Sequence, residues 1–361
     1  MRRPYATATP GDRVDILGEV SPRVGLMIAV LAASLVSGCG GLQSHGSATS
    51  ACDHGTSIEG RALRVATTVA PLTSIVADIA GGSGTEIAGL VPEGVNSHAY
   101  EPSPSVAATL EDADVVFLNG LALEAPTKAL AEANMGDDAV LCELGTTILP
   151  KGQYIYDFSF PKSGGDPNPH LWTNPPMAGE YANLVHDVLV RVDPAHADVY
   201  DHNLTSFTAR VDAFDRALRD ASATIAADKR MLLTYHDAYA YFAREYGWTI
   251  VGAIQPSSFD EPTPRDVARL IDQIEAKHVP AVFGSEVFPS PVLEQIAAAT
   301  GARYVDDLRD DDLPGDPGDA EHSWLGLMRF DYVTIVEALG GDASELRALD
   351  ITDVSPDTAK Y

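Results

Sequence analysis

The chain has 361 residues, 45% hydrophobic and 21% charged, the balance of a soluble globular protein with length for about two domains. Its formal net charge of −28 argues against nucleic acid or an anionic membrane surface as partner, since both repel an acidic protein. Acidity by itself selects no ligand, because a solvated surface accounts for it.

Arg23 precedes the apolar run "VGLMIAVLAASLVSGC", which ends in small residues and Cys39. At about 14 apolar residues it is short for a membrane span and suits the core of a signal peptide. Its end, Val36-Ser37-Gly38-Cys39, resembles a bacterial lipobox, which implies that residues 1–39 are a signal segment and that Cys39 is lipidated. Residues 40–61 are rich in Gly, Ser, Thr and Ala without apolar periodicity and read as a flexible tether. An exported chain permits a disulfide between Cys52 and Cys142. Cys52 lies in the tether, however, and Cys142 follows the apolar "AVL", which favours a buried thiol at Cys142.

Folding begins at "LRVATTV", a β-rich run, followed by "APLTSIVADIAG" at helical spacing. "TEIAGLV" reads as a second strand, "SPSVAATLEDA" as a helix entered through Ser103 and Pro104, and "DVVFLNG" as a third strand. This β-α-β-α-β rhythm predicts a parallel sheet covered by helices, a first lobe over 62–193. Residues 194–228 then run about thirty residues without glycine or proline beyond Pro194, a helix of about 45 Å if continuous. That is the size of a rod joining two lobes. The rhythm restarts over 229–361 with "MLLTY", "DAYAYFAREYG", "TIVGAI", "TPRDVARLIDQIEAKH", "PAVFGS", "SPVLEQIAAATG" and "ARYVDD". The predicted fold is α/β: two Rossmann-like lobes with parallel sheets joined by one long rigid helix.

Open α/β sheets bind ligands beyond the carboxyl ends of their strands. His98 follows the second strand, His236 follows "MLLTY", and Asp306 ends "ARYVDD"; His170 sits in the proline-rich "DPNPHLWTNP" of the first lobe. Three imidazoles and a carboxylate suit a four-coordinate zinc site. A histidine in a loop such as "VNSHAYEPSPS" is nevertheless by default a solvated residue, and spacing alone does not bring four side chains together.

The segments "VATTVAPLTSIVADIAG", "LVPEGVNSHAYEPSPSVAATLEDADVVFLNGLALE", "DPNPHLWTNPPMAGEYA" and "YHDAYAYFAREYG" resemble those of the metal-binding solute-binding proteins of ABC importers, the cluster A-I or ZnuA/TroA type. The resemblance covers residues 63–340. It implies a metal site in the interlobe cleft with ligands at His98 in "SHAYEP", His170 in "PHLW", His236 in "YHDAYAYF" and Asp306 in "YVDDL", where an Asp306–Asp307 doublet leaves two candidates. Manganese-binding relatives carry glutamate at the place of His236, so three histidines favour zinc, with manganese or iron as the alternative. Many zinc-binding relatives also carry a histidine-rich loop between the first two ligands; here "KGQYIYDFSFPKSGGDPN" holds none.

The resemblance further implies a monomer that is not an enzyme. It would be held by its lipid at the outer face of the cell membrane and deliver a divalent metal to an ABC permease and its ATPase. A surface adhesion role is an alternative; an exported zinc hydrolase would need a helical His-Glu signature that the chain lacks. Glu101 and Glu286 are expected behind the ligands rather than on the metal. His186, His196, His202, His278 and His322 are expected at the surface, Trp172 and Trp324 in packing, and the acidic "RDDDLPGDPGD" in a solvated loop without EF-hand spacing.

Overall fold

A computed structural model of the chain describes residues 51–255, 257–258, 262–285, 291–305 and 308–361. The signal segment with Cys39, and Glu286, Asp306 and Asp307, lie outside the described residues. The first lobe runs β1 (Arg64–Thr67), α1 (Ala70–Ala80), β2 (Glu86–Gly89), α2 (Pro104–Asp112), β3 (Val115–Leu118), α3 (Ala125–Asn134), β4 (Val140–Glu143) and α4 (Leu144–Ile148). Then come α5 (Pro175–Val192) and α6 (Ala197–Ala223). The second lobe runs β5 (Met231–Thr234), α7 (Ala240–Tyr246), β6 (Thr249–Ala253), α8 (Pro264–Lys277), β7 (Ala281–Phe283), α9 (Pro291–Thr300) and β8 (Arg303–Val305). The chain ends with α10 (Trp324–Ala338) and α11 (Ser344–Arg347).

Both sheets are wholly parallel, ordered β2-β1-β3-β4 and β6-β5-β7-β8. The two-lobed α/β expectation therefore holds. Strand β3, "VVFL", is buried at every position because helices cover both faces, as parallel sheets require. Proline opens α1, α2, α3, α5 and α8, where the missing N–H costs no helical hydrogen bond. Strand β4 went unread in the sequence because four residues of "VLCE" carry too short a pattern. In each sheet the strand order reverses between the first and third strands, and the loops beyond that point face the cleft.

The long helix is α6, 27 residues or about 40 Å. Its buried side chains Tyr200, Asn203, Phe207, Val211, Phe214 and Leu218 recur every three or four residues, one face of a helix. Near its start Asn203 Nδ2 donates to the backbone oxygens of Ile79 and Gly81, closing the end of α1. Near its end Ser222 Oγ accepts the indole N–H of Trp248, beside β6. One continuous apolar cluster joins the inner faces of both sheets through α5, α6 and α10, so the lobes share a core. No helix among the described residues is long and apolar enough to cross a membrane.

The last part of the chain, read from sequence with the second lobe, returns to the first. Trp324 N–H donates to Ser74 Oγ at 2.9 Å, and Val354 N–H to Asp78 Oδ1 at 2.6 Å. Lys360 pairs beside β2, donating to Ile87 O and accepting from Gly89 N–H. This covers an edge strand that would otherwise expose its backbone.

The cysteines correct an expectation. Cys142 is not a free thiol: it forms a disulfide with Cys52, with Cα atoms 4.5 Å apart. The supposed tether is anchored here, because Ala51–Asp53 forms a helical turn against β4 and buries Cys52. The bond closes 90 residues of chain, so its loss should cost about 2–4 kcal/mol. Replacing both cysteines by serine should lower the unfolding free energy by that amount in denaturant titration, and reduction of the native protein should match it.

Candidate metal centre

Each lobe places two groups at one point. His98 sits on a helical turn, Ser97–Ala99, beyond β2, with its backbone N–H held by the Asn96 side chain. His170 precedes the turn Leu171–Thr173 that leads into α5. His236 follows β5 after a single residue. With Asp311, which lies in the loop after β8, they present one ligand atom each, all within 4.8 Å of one another.

The three Nε2 atoms converge: His98 to His170 is 3.1 Å, His98 to His236 is 3.3 Å, and His170 to His236 is 2.9 Å. The other ring nitrogens fix the protons. Asn168 donates its amide N–H groups to Asp157 Oδ2 and to the backbone oxygen of Asp237, which turns its oxygen toward His170 Nδ1 at 2.9 Å. Gln255 Oε1 lies 2.6 Å from His236 Nδ1. An amide oxygen only accepts, so both imidazoles carry their proton on Nδ1 and aim an Nε2 lone pair inward. A tetrahedral ion with bonds of about 2.0–2.1 Å to nitrogen separates its ligands by roughly 3.3 Å, close to what the rings adopt.

Asp311 supplies the oxygen. Its Oδ2 accepts from Ser97 Oγ at 2.6 Å, while its buried Oδ1 has no hydrogen-bond partner among the described residues and lies 3.8 Å from His170 Nε2. A buried carboxylate oxygen without a hydrogen-bond partner beside three converging imidazole nitrogens is what a cation site requires.

The acidic stretch expected to be solvated is so only in its second half: residues 315–319 are exposed, whereas the part holding Asp311 is buried. Asp310, Asp311 and Asp312 are all buried. First-lobe donors hold them: Trp172 Nε1–H binds Asp310 O at 2.8 Å, Ser97 binds Asp311, and Gly94 N–H binds Asp312 Oδ2 at 2.6 Å. Burial pushes the Asp310 carboxyl up to about 6, helped by the charge of Asp311, and pushes Asp312 to a similar value. Burial, together with neighbouring His236, keeps His98 and His170 well below the usual histidine range. Burial pulls His236 down as well, but the carboxylates of Asp310 and Asp311 outweigh it and carry its pKa up.

The three histidines named from the sequence therefore come together. Asp306 and Glu286 lie outside the described residues, and Glu101 is exposed at the surface. His322 departs from its surface expectation: it is buried, with Nε2 3.0 Å from Glu93 Oε1. Trp172 and Trp324 are fully buried, Trp172 with its ring 5.1 Å from that of His170. Sequence reasoning passed over Ser97, Asn168, Gln255 and Asp311. Asn168, placed between prolines two residues before His170, was the one with a local signal.

Comparison with known proteins identifies relatives of this chain. The family model described as "Zinc-uptake complex component A periplasmic", ZnuA, matches residues 65–338. The iron-binding protein YfeA of Yersinia pestis is 28% identical over 277 residues, covering 77% of this chain and 86% of that protein. The manganese-binding lipoprotein MntA of Bacillus subtilis is 28% identical over 326 residues, covering 88% and 99%. The solved structure of the periplasmic zinc-binding protein TroA from Treponema pallidum shares the fold with a TM-score of 0.70 at 25% identity, over 77% of this chain and 99% of that one. With the family match running from β1 to the end of α10, the chain belongs to the ZnuA/TroA family of metal-binding solute-binding proteins, a family of carriers rather than enzymes.

Proposed function

We propose that this chain captures a divalent metal ion outside the cytoplasm, zinc in preference to manganese or iron, and hands it to an ABC permease driven by its ATPase. The ligands in this reading are His98, His170, His236 and Asp311. The observation that carries it is the convergence of three Nε2 atoms and one unpaired carboxylate oxygen from two lobes.

Three imidazoles suit zinc better than manganese, which prefers oxygen donors. Ser97 is consistent with the same choice: its hydrogen bond to Oδ2 turns the other oxygen of Asp311, which has no hydrogen-bond partner among the described residues, toward the histidines. Relatives are named for iron, manganese and zinc, so the ranking rests on this chain's own donors. The lipobox-like sequence at Cys39 and the lipoprotein names of relatives support a membrane anchor there and a place at the outer face of the cell membrane.

Equilibrium dialysis of the metal-stripped protein against zinc and manganese tests the reading; failure to bind either overturns it. His170→Ala and Asp311→Ala should abolish tight zinc binding. Asn168→Ala, which frees the His170 ring, should weaken binding by about 10–100-fold. Asp306→Ala run in parallel identifies the carboxylate: loss there with binding intact in Asp311→Ala transfers the role to Asp306.

His236→Glu should narrow the margin by which zinc outcompetes manganese, because it exchanges a nitrogen for an oxygen donor. Competition titration of the two ions measures this, and an unchanged margin removes His236 as its determinant. A protonated imidazole cannot ligate, so zinc affinity should fall as pH is lowered through the histidine range, near about 6.5 for an unperturbed ring. His236, with its raised pKa, takes up the first proton, so the fall should begin above that value. Affinity measured from pH 8 to pH 5 checks the sign.

A further inference from the structure

Of the four converging groups, His170, His236 and Asp311 are buried and His98 alone is partly exposed. A cavity of about 450 Å³ opens onto His98 and is walled by Leu121, Ala122, Phe160, Pro161 and Asp166, among others. Of the four groups, His98 alone lines it.

The two walls differ in how firmly they are held. Leu121 and Ala122 lie in the left-handed region, at φ of 55° and 67°, which residues with a side chain avoid. The buried Glu124 carboxylate holds that loop, accepting from the backbone N–H groups of Asn119 and Gly120 and from Thr68 Oγ1. A loop over-determined in this way is a fixed wall.

The opposite wall is the histidine-free stretch between the first two ligands, which has one short turn at Lys151–Gln153 and no other regular structure. Its Phe160 lines the cavity and lays its ring against two ligands, with centroids 5.4 Å from His98 and 5.6 Å from His170. The preceding residue ties the ring to the other lobe. Ser159 N–H donates to Asp237 Oδ2 at 2.9 Å, and its Oγ to Gln255 O at 2.6 Å. Asp237 is the neighbour of His236, and Gln255 orients the His236 ring.

The geometry points to Phe160 as the door of the metal port and Ser159 as its latch, setting how fast an ion enters and leaves. This rests on the metal-capture reading above. The ring blocks the approach to His98 and His170, and it swings aside when Ser159 lets go of the second lobe. The shutter is an apolar ring fastened across the lobes by its neighbour. A shutter that donates nothing to the ion acts on the path and not on its two ends, so opening it speeds capture and release alike.

Stopped-flow mixing measures both rates, with zinc for association and a chromophoric chelator for dissociation. Phe160→Ala should raise both by about tenfold or more while the dissociation constant moves by less than about threefold. Ser159→Ala, which keeps the backbone bond, and Phe160→Leu, which keeps an apolar group, should give smaller rises in both rates. Unchanged rates in variants that fold and bind zinc overturn the door. So does a faster release with unchanged capture and a matching loss of affinity, since Phe160 would then only brace the histidines. A wild-type chain that binds no divalent metal overturns the capture reading first, and the door with it.

Discussion

Three ring nitrogens converge within 2.9–3.3 Å of one another, and the two whose Nδ1 protons are fixed, His170 and His236, meet lone pair to lone pair and repel. A cation at that point turns the repulsion into attraction, and the surrounding structure holds the rings ready for one. Free imidazoles would rotate or exchange tautomer. Asn168 forbids this for His170 and Gln255 for His236, by placing an oxygen where only an N–H is tolerated. Asn168 in turn cannot flip, because its N–H groups are committed to Asp157 and Asp237.

The repulsion is shared between lobes, so the lobes must be held together by something else. The apolar cluster running through α5, α6 and α10 does most of this, since it leaves no dry surface between the two sheets. Polar bonds then set the register at the cleft. Trp172, Ser97 and Gly94 reach from the first lobe to three consecutive buried aspartates of the second, and Ser159 reaches across to Asp237 and Gln255. Buried carboxylates without such donors would be costly, which is why the acidic loop and its partners are inseparable.

Much of this was readable residue by residue. Strand, helix and proline punctuation revealed both lobes and α6, because parallel strands buried on two faces read as continuous apolar runs. His98 and His236 stood out by their places at strand ends and His170 by its proline-rich loop, and the family resemblance then joined them into one site. Residues fixed by distant partners were not legible. "RDDDL" looks solvated by composition, and only tertiary donors bring Asp310, Asp311 and Asp312 inside. Cys52 sits in a stretch with the composition of a tether, and its burial depends on β4, which is itself too short to announce. The strand-end rule favoured the first aspartates after β8, whereas the carboxylate seen beside the histidines stands five places beyond Asp306. Loop length and backbone turns decide that offset, and they leave no periodic trace.

The chain passes between lobes more than once. It goes out along α6 and comes back to set Trp324 on Ser74 and Lys360 against β2. A body tied at two well-separated places has lost most of its rotational freedom about either one. The protein is therefore ill suited to advertise its cargo by a wide change of outline. What a bound dication alters most is the electric field above the cleft, by cancelling charge on aspartates packed where water does little to screen it. Laden and unladen molecules then differ in potential more than in profile, and a partner surface could tell them apart at a distance.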